Sequence, residues 1–168
     1  AAFNLGIAHA RVGNYRDAEA IQRPALDMLR RSFRAGDYRL DAALTALAFT
    51  LAGLNRIDEA DLLLTEAIAA ETKAGRENGP LVTVAIEQRA EIMIRRGDMA
   101  SGETALRSAI ARREAAITES HAVLQAIRPR LIALAPEQGA QLPASDLLAD
   151  TELAHTLARL AQLELRAG

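Results

Sequence analysis

The sequence predicts an all-α protein built as a solenoid of antiparallel helix pairs. Three observations lead there. Ala (37) and Leu (24) make up over a third of the 168 residues, and both are strong helix formers. Val, Ile, Thr, Tyr and Phe are too sparse to furnish a sheet. A turn-like hexapeptide recurs twice at a 42-residue spacing: Gly13-Asn14-Tyr15-Arg16-Asp17-Ala18, Asn55-Arg56-Ile57-Asp58-Glu59-Ala60 and Gly97-Asp98-Met99-Ala100-Ser101-Gly102. Fixed periodicity of this length is the signature of stacked helical units.

The elements follow from that register. The first unit covers 1–32, the second 41–74 and the third 83–116. In each, a first helix stops at Gly13, Asn55 or Gly97, residue types that tolerate the left-handed conformation a helix end requires. A second helix then begins, with Asn or Asp expected near its N-cap. Asp17, Asp58 and Glu59 place negative charge at the positive end of the helix dipole. Small residues at 18, 60 and 102, and again at Ala25, Ala67 and Ala109, let paired helices approach closely. Gly79-Pro80 reads as the opening of the third unit's first helix. Residues 121–168 read as a degenerate repeat or capping helices: a first helix at His121 to Ala135 with a kink or fresh start at Pro129, a loop over 136–145, then a final helix. The chain starts inside a helical pattern and stops at Gly168, a turn signal, so it reads as a stretch of a longer solenoid.

These units resemble the tetratricopeptide repeat family. Leu5-Gly6, the Gly13 to Ala18 turn and Ala25 carry the pattern in unit one. Leu47-Ala48, Asn55 to Ala60 and Ala67 carry it in unit two. Ala90, Gly97-Asp98-Met99 and Ala109 carry it in unit three, with Arg89 where Leu is usual and Gly102 where Ala is usual. The long period is similar to the variety found in kinesin light chains and in many bacterial multidomain regulators. The resemblance implies a right-handed superhelix whose first helices line a concave groove. It also implies a regulatory or scaffolding role, in which a peptide or partner helix lies in that groove.

Composition narrows the chemistry. With 20 Lys+Arg against 22 Asp+Glu, the net charge of −2 gives no global reason to bind nucleic acid or an anionic membrane. The absence of cysteine excludes disulfides, thiolate zinc sites and cysteine nucleophiles. No nucleophile elbow, phosphate loop, zinc-helix motif or dinucleotide fingerprint occurs, so neither an enzyme nor a cofactor is expected. His9, His121 and His155 have no partner at metal spacing. The longest nearly apolar run, Ala42 to Leu54, is 13 residues, short of the roughly 20 a membrane span needs. The cytoplasm is the expected compartment. Arg30, Arg31, Arg34 and Arg39 form a local basic cluster that could touch phosphates, although such runs are usually solvated faces.

The repeat register assigns candidate groove positions. Unit one supplies Phe3, Asn4, Ile7 and Arg11; unit two supplies Thr45, Phe49 and Ala52; unit three supplies Glu87, Gln88, Glu91 and Arg95, with Arg130 following in the fourth helix. Chaperone-binding members of the resembling family hold a terminal carboxylate with Lys, Asn and Arg. Phe3, Ile7, Glu87 and Glu91 are incompatible with that clamp, so a peptide with apolar anchors and a basic residue is the expected ligand. Competing readings exist for each. Phe3 could cover the end of a core, Phe49 could belong to the core, and Glu87, Glu91 and Arg95 could be a solvated face with i,i+4 pairing. A different role is also open, in which the helices pack against a neighbouring domain or a second copy. The leucine stripe Leu153, Leu157, Leu160 and Leu163 would suit such an oligomer.

Overall fold

A computed structural model describes residues 2–134, with side chains over 3–118. It is all-α, as the sequence predicts, and no strand occurs among the described residues. Six helices follow one another: α1 (Ala2–Arg11), α2 (Tyr15–Ser32), α3 (Tyr38–Gly53), α4 (Ile57–Lys73), α5 (Pro80–Arg95) and α6 (Met99–Leu134). The starts of α2, α4 and α6 keep the 42-residue spacing, and so do both ends of α3 and α5.

The turns explain why. Gly13, Asn55 and Gly97 have φ of 85°, 61° and 86°. In each turn the next amide reaches back to the helix: Asn14 to the His9 carbonyl at 2.9 Å, Arg56 to Leu51 at 2.8 Å and Asp98 to Met93 at 2.9 Å. The residue before donates to Ala10, Ala52 or Ile94. This paired closure satisfies carbonyls that a helix end leaves bare. The caps on the following helices differ from expectation. Asn14 makes no side-chain cap and Arg56 occupies the second N-cap; only Asp98 bonds as predicted, to the Ser101 amide at 3.1 Å. Gly79 caps α5, with Pro80 at its first position, where the missing N–H costs nothing.

The chain divides into two compact units, 1–105 and 106–168. In the first, α1 packs on α2, α3 on α4, α2 on α3, and α4 on α5. One apolar cluster, including Leu26, Leu40, Leu44, Leu47, Leu51, Leu64 and Ile92, runs through these joints. Each fully buried aliphatic side chain contributes about 1.5–3 kcal/mol. Ala18 and Ala60 are completely enclosed, as their small size predicts. Gly102 has the same role under tighter constraint: a Cβ there would lie 2.7 Å from Ile94 Cγ1 and 3.2 Å from the Ala90 carbonyl oxygen. In the second unit, α6 runs on to Leu134, and Leu106, Ala109 and Ile110 are buried. The helix has no interruption ahead of His121 and is continuous through Pro129, unlike the separate fourth helix the sequence suggested. The loop over 136–145 and the leucine stripe lie outside the described residues.

Candidate functional site

The first helices form a row, since α3 packs against both α1 and α5. The second helices are tied to each other by ion pairs between residues far apart in sequence. Arg23 of α2 reaches Glu59 of α4, and Arg30 Nη2 lies 2.7 Å from Glu66 Oε2. Glu19 is shared between Arg23 and Arg56.

The groove candidates lie in register on this first-helix row, with different environments. On α1, Asn4 and Arg11 are exposed, Ile7 is half-buried and Phe3 packs against the core cluster. On α3, Phe49 is 41 % exposed, whereas Thr45 is buried and donates its hydroxyl to the Asp41 carbonyl at 3.0 Å. Thr45 therefore belongs to the interior and offers no groove surface. Ala52 packs against the core. On α5, Glu87, Gln88 and Glu91 are half-buried and Arg95 is exposed. Arg95 Nε pairs with Glu91 Oε1 at 3.2 Å, and its Nη1 donates to the Ala52 carbonyl at 2.8 Å. Arg95 thus ties α5 to the end of α3 and compensates Glu91, which weakens the case for a basic residue on the ligand. Gln88 Oε1 is enclosed and accepts no hydrogen bond among the described residues. Arg130 lies beyond the residues with described side chains.

Sequence reasoning missed an aromatic corner on this row. Tyr15, the first residue of α2, meets Phe49 edge-on, with ring centroids 6.2 Å apart and planes at 66°. Such edge contacts are favourable beyond the area they bury. Tyr15 fits because position 53 is glycine. A Cβ there would sit 2.4 Å from Tyr15 Cε1 and 2.6 Å from Cζ. The register carries the signal: Gly53 is the repeat equivalent of Arg11 and Arg95, and the single small residue of the three marks where a ring lies.

Two buried polar arrangements were also invisible. Gln22 and Thr50 are both enclosed, and Thr50 Oγ1 donates to Gln22 Oε1 at 2.7 Å. Asp41 and Glu71, on α3 and α4, are enclosed together, and Arg76 reaches both. Arg76 Nη2 lies 2.6 Å from Glu71 Oε1, 2.6 Å from the Gly36 carbonyl oxygen and 3.7 Å from Asp41 Oδ2. The direct bond from Arg76 holds the Glu71 carboxyl below its usual range. Burial, then the neighbouring Glu71 carboxylate, push Asp41 up to about 6, against the Gly36 amide and Arg76, which favour its charge. Two of the four basic-cluster residues are engaged: Arg30 pairs with Glu66, and Arg39 pairs with Asp37 while stacking 3.7 Å from the Phe33 centroid.

Among the described residues, no group of three His, Asp or Glu side chains could hold a metal ion. No described helix is long and apolar enough to cross a membrane.

No protein-family model and no curated protein matches the chain. Solved structures do. Nearly identical TPR-like repeats of a Podosopora anserina protein described as a kinesin light chain superpose with a TM-score of 0.61 at 16 % identity, covering 98 % of this chain and 85 % of that one. A single-residue variant of the same repeats superposes with a TM-score of 0.60, again at 16 % identity and with 98 % and 85 % coverage. The likeness shows the fold: this chain has the TPR-like helical repeat architecture.

Proposed function

We propose that the chain is a protein-interaction module, part of a regulatory or scaffolding assembly, whose α1–α3–α5 row receives a peptide or a partner helix. The carrying observation is Phe49. It is a large aromatic, 41 % exposed, on a helix whose middle turns are mostly buried, held by Tyr15 and flanked in register by Ile7. A rigid aromatic in a half-closed setting is a typical anchor point of an interface. The direct packing of α1, α3 and α5, against the ion-pair links between α2 and α4, supports reading the first-helix row as the inner, concave one. The ligand this row suits has aliphatic or aromatic anchors and no requirement for a terminal carboxylate. No catalytic role is assigned to any residue.

The test is selection from a random peptide library on the full chain, followed by titration of the enriched peptides. Phe49→Asp is expected to weaken them at least tenfold while leaving the melting temperature within a few degrees. Unchanged affinity in that variant would exclude the groove as the binding surface.

One observation favours a second reading, packing against another protein surface. Leu5 and Met28 are 53 % and 56 % exposed, while their repeat equivalents Leu47 and Ala70 are buried at 1 % and 9 %. The outer face of the α1–α2 pair is thus apolar where interior pairs are covered. Sedimentation of the chain with and without Leu5→Glu separates the two: a self-associating species dissolved by that change supports the packing role.

A further inference from the structure

The Asp41–Glu71–Arg76 cluster places two fully enclosed carboxyl groups beside one guanidinium. Its members come from different segments: Asp41 from the first turn of α3, Glu71 from the last turns of α4, and Arg76 from the α4–α5 loop. Arg76 is committed. Its Nε lies 3.0 Å from Glu71 Oε2 and 3.2 Å from Oε1, and its Nη2 bridges Glu71 Oε1 and the Gly36 carbonyl of the α2–α3 loop. Asp41 is left over. Neither of its oxygens completes a hydrogen bond among the described residues: the Gly36 amide faces it without closing one, and Arg76 stands 3.7 Å away.

One arginine cannot serve two buried carboxylates equally. An enclosed carboxylate without donors is costly, whereas a neutral carboxyl can donate its own proton to the adjacent Glu71 carboxylate. We infer that Asp41, Glu71 and Arg76 form a proton-operated latch: protonation of Asp41 closes a hydrogen bond to Glu71 and fastens the α2–α3 loop to the α4–α5 loop, and loss of that proton loosens both.

The surrounding charges agree. Asp37, at the N-cap of α3, is neutralised by Arg39, with 2.8 Å between Arg39 Nη2 and Asp37 Oδ2, so it adds little to the hold on the proton. From α4 the facing group is Glu71; from the α4–α5 loop it is Arg76; from the α2–α3 loop it is the Gly36 amide. The α3 N-terminus favours a charged Asp41, but burial outweighs it, since the carboxyl is raised to about 6.

The sign follows by linkage. Asp41 holds its proton more tightly folded than unfolded. Its contribution is therefore full below the ordinary aspartate range and lost as pH rises through about 6. Glu71 works oppositely, since its lowered pKa adds stability above the ordinary glutamate range and loses it on acidification. The latch is tightest near pH 5, where Asp41 is neutral and Glu71 charged.

The experiment is thermal unfolding of the full chain at pH 5 and pH 7.5, with amide hydrogen exchange across 74–79 at both values after correction for intrinsic rates. The wild type is expected to melt roughly 5 °C higher at pH 5 and to protect the Arg76 and Gly79 amides more strongly there. Asp41→Asn supplies a permanent donor and Glu71→Gln removes the negative charge that favours the proton, so each should flatten both pH differences. Because one variant could fold poorly, the comparison is made on whichever remains folded. A wild-type-sized pH difference in a folded variant, or a wild type tighter at pH 7.5 than at pH 5, overturns the latch.

Discussion

The joint between α2 and α3 and the joint between α4 and α5 occupy the same positions in the repeat, yet their interiors are exchanged. At the first joint, Gln22 and Thr50 are enclosed and bonded to each other. Their equivalents at the second joint are Leu64 and Ile92, both in the apolar cluster. One helical turn away the pattern reverses. Leu47 is buried at the first joint, whereas at the second its equivalent Arg89 donates through Nε to Asp61 at 2.7 Å. The polar pair thus occupies different register positions, Gln22–Thr50 at the first joint and Asp61–Arg89 at the second. The backbone register is common; the chemistry that fills it is local. A joint tolerates an enclosed polar side chain that finds a partner, as Gln22 Oε1 does in Thr50, although Gln22 Nε2 has no acceptor among the described residues.

The largest test of that statement is to move one joint's chemistry into the other. Leu64→Gln puts an amide into a fully enclosed apolar site with no partner, and should cost about 3 kcal/mol or more in urea unfolding. Adding Ile92→Thr should recover part of that loss, because the pair could then bond as Gln22 and Thr50 do. The reverse exchange, Gln22→Leu with Thr50→Val, removes both partners at once and should fall within about 1 kcal/mol of wild type. A severe loss from the reverse exchange would mean that the polar pair fixes the first joint's geometry.

The same comparison shows what the sequence could reveal. Helix boundaries were legible because Gly13, Asn55 and Gly97 announce left-handed turns by residue type, and Ala18, Ala60 and Gly102 announce close approach. Such signals are local. The partners Gln22–Thr50 and Asp61–Arg89 are each 28 residues apart, and no local window contains both. Arg89 looked like a defect in the repeat until Asp61 supplied its reason. With the period known, a scan of residues at that separation would have found both pairs. Thr45 was misplaced for a related reason. The register puts it on the inner row, but its hydroxyl is satisfied within its own helix by Asp41, so it can be buried where a more demanding polar residue could not. Phe49 and Tyr15 left their only sequence signal in the register, where Gly53 replaces Arg11 and Arg95 and opens the space their contact needs.

A moderate effect is expected at the Asp61–Arg89 pair. Burial favours the neutral form of Asp61, but Arg89 and Arg96 together hold its carboxyl below the usual range. Stability from this group is present above the ordinary aspartate range and lost as pH falls below it. Arg89→Leu makes the second joint resemble Leu47 and leaves Asp61 with Arg96 alone. The cost should be about 1 kcal/mol near neutral pH, smaller when Asp61→Asn is already present. A double-mutant cycle followed from pH 7 down through the lowered Asp61 range measures this, and coupling that survives protonation of Asp61 would contradict an ionic origin.

The smallest effect should come from Arg30 and Glu66. This pair spans the outer row at 2.7 Å, at the same separation in sequence as Arg23 and Glu59. Its side chains are 42 % and 46 % exposed, so water and salt screen the attraction and ordering two long side chains offsets it. Glu66→Gln should change stability by less than about 0.5 kcal/mol, with little change between low and high salt. Glu59 differs, because it receives both Arg23 and Arg56 and is less exposed. Burial there is outweighed by the two arginines, which keep its carboxyl below the usual range. Glu59→Gln should therefore cost more than Glu66→Gln, and the gap should narrow as salt rises. Equal losses at the two positions would show that the outer row is held by helix packing alone, and that the ion pairs merely decorate a spacing set at the two joints.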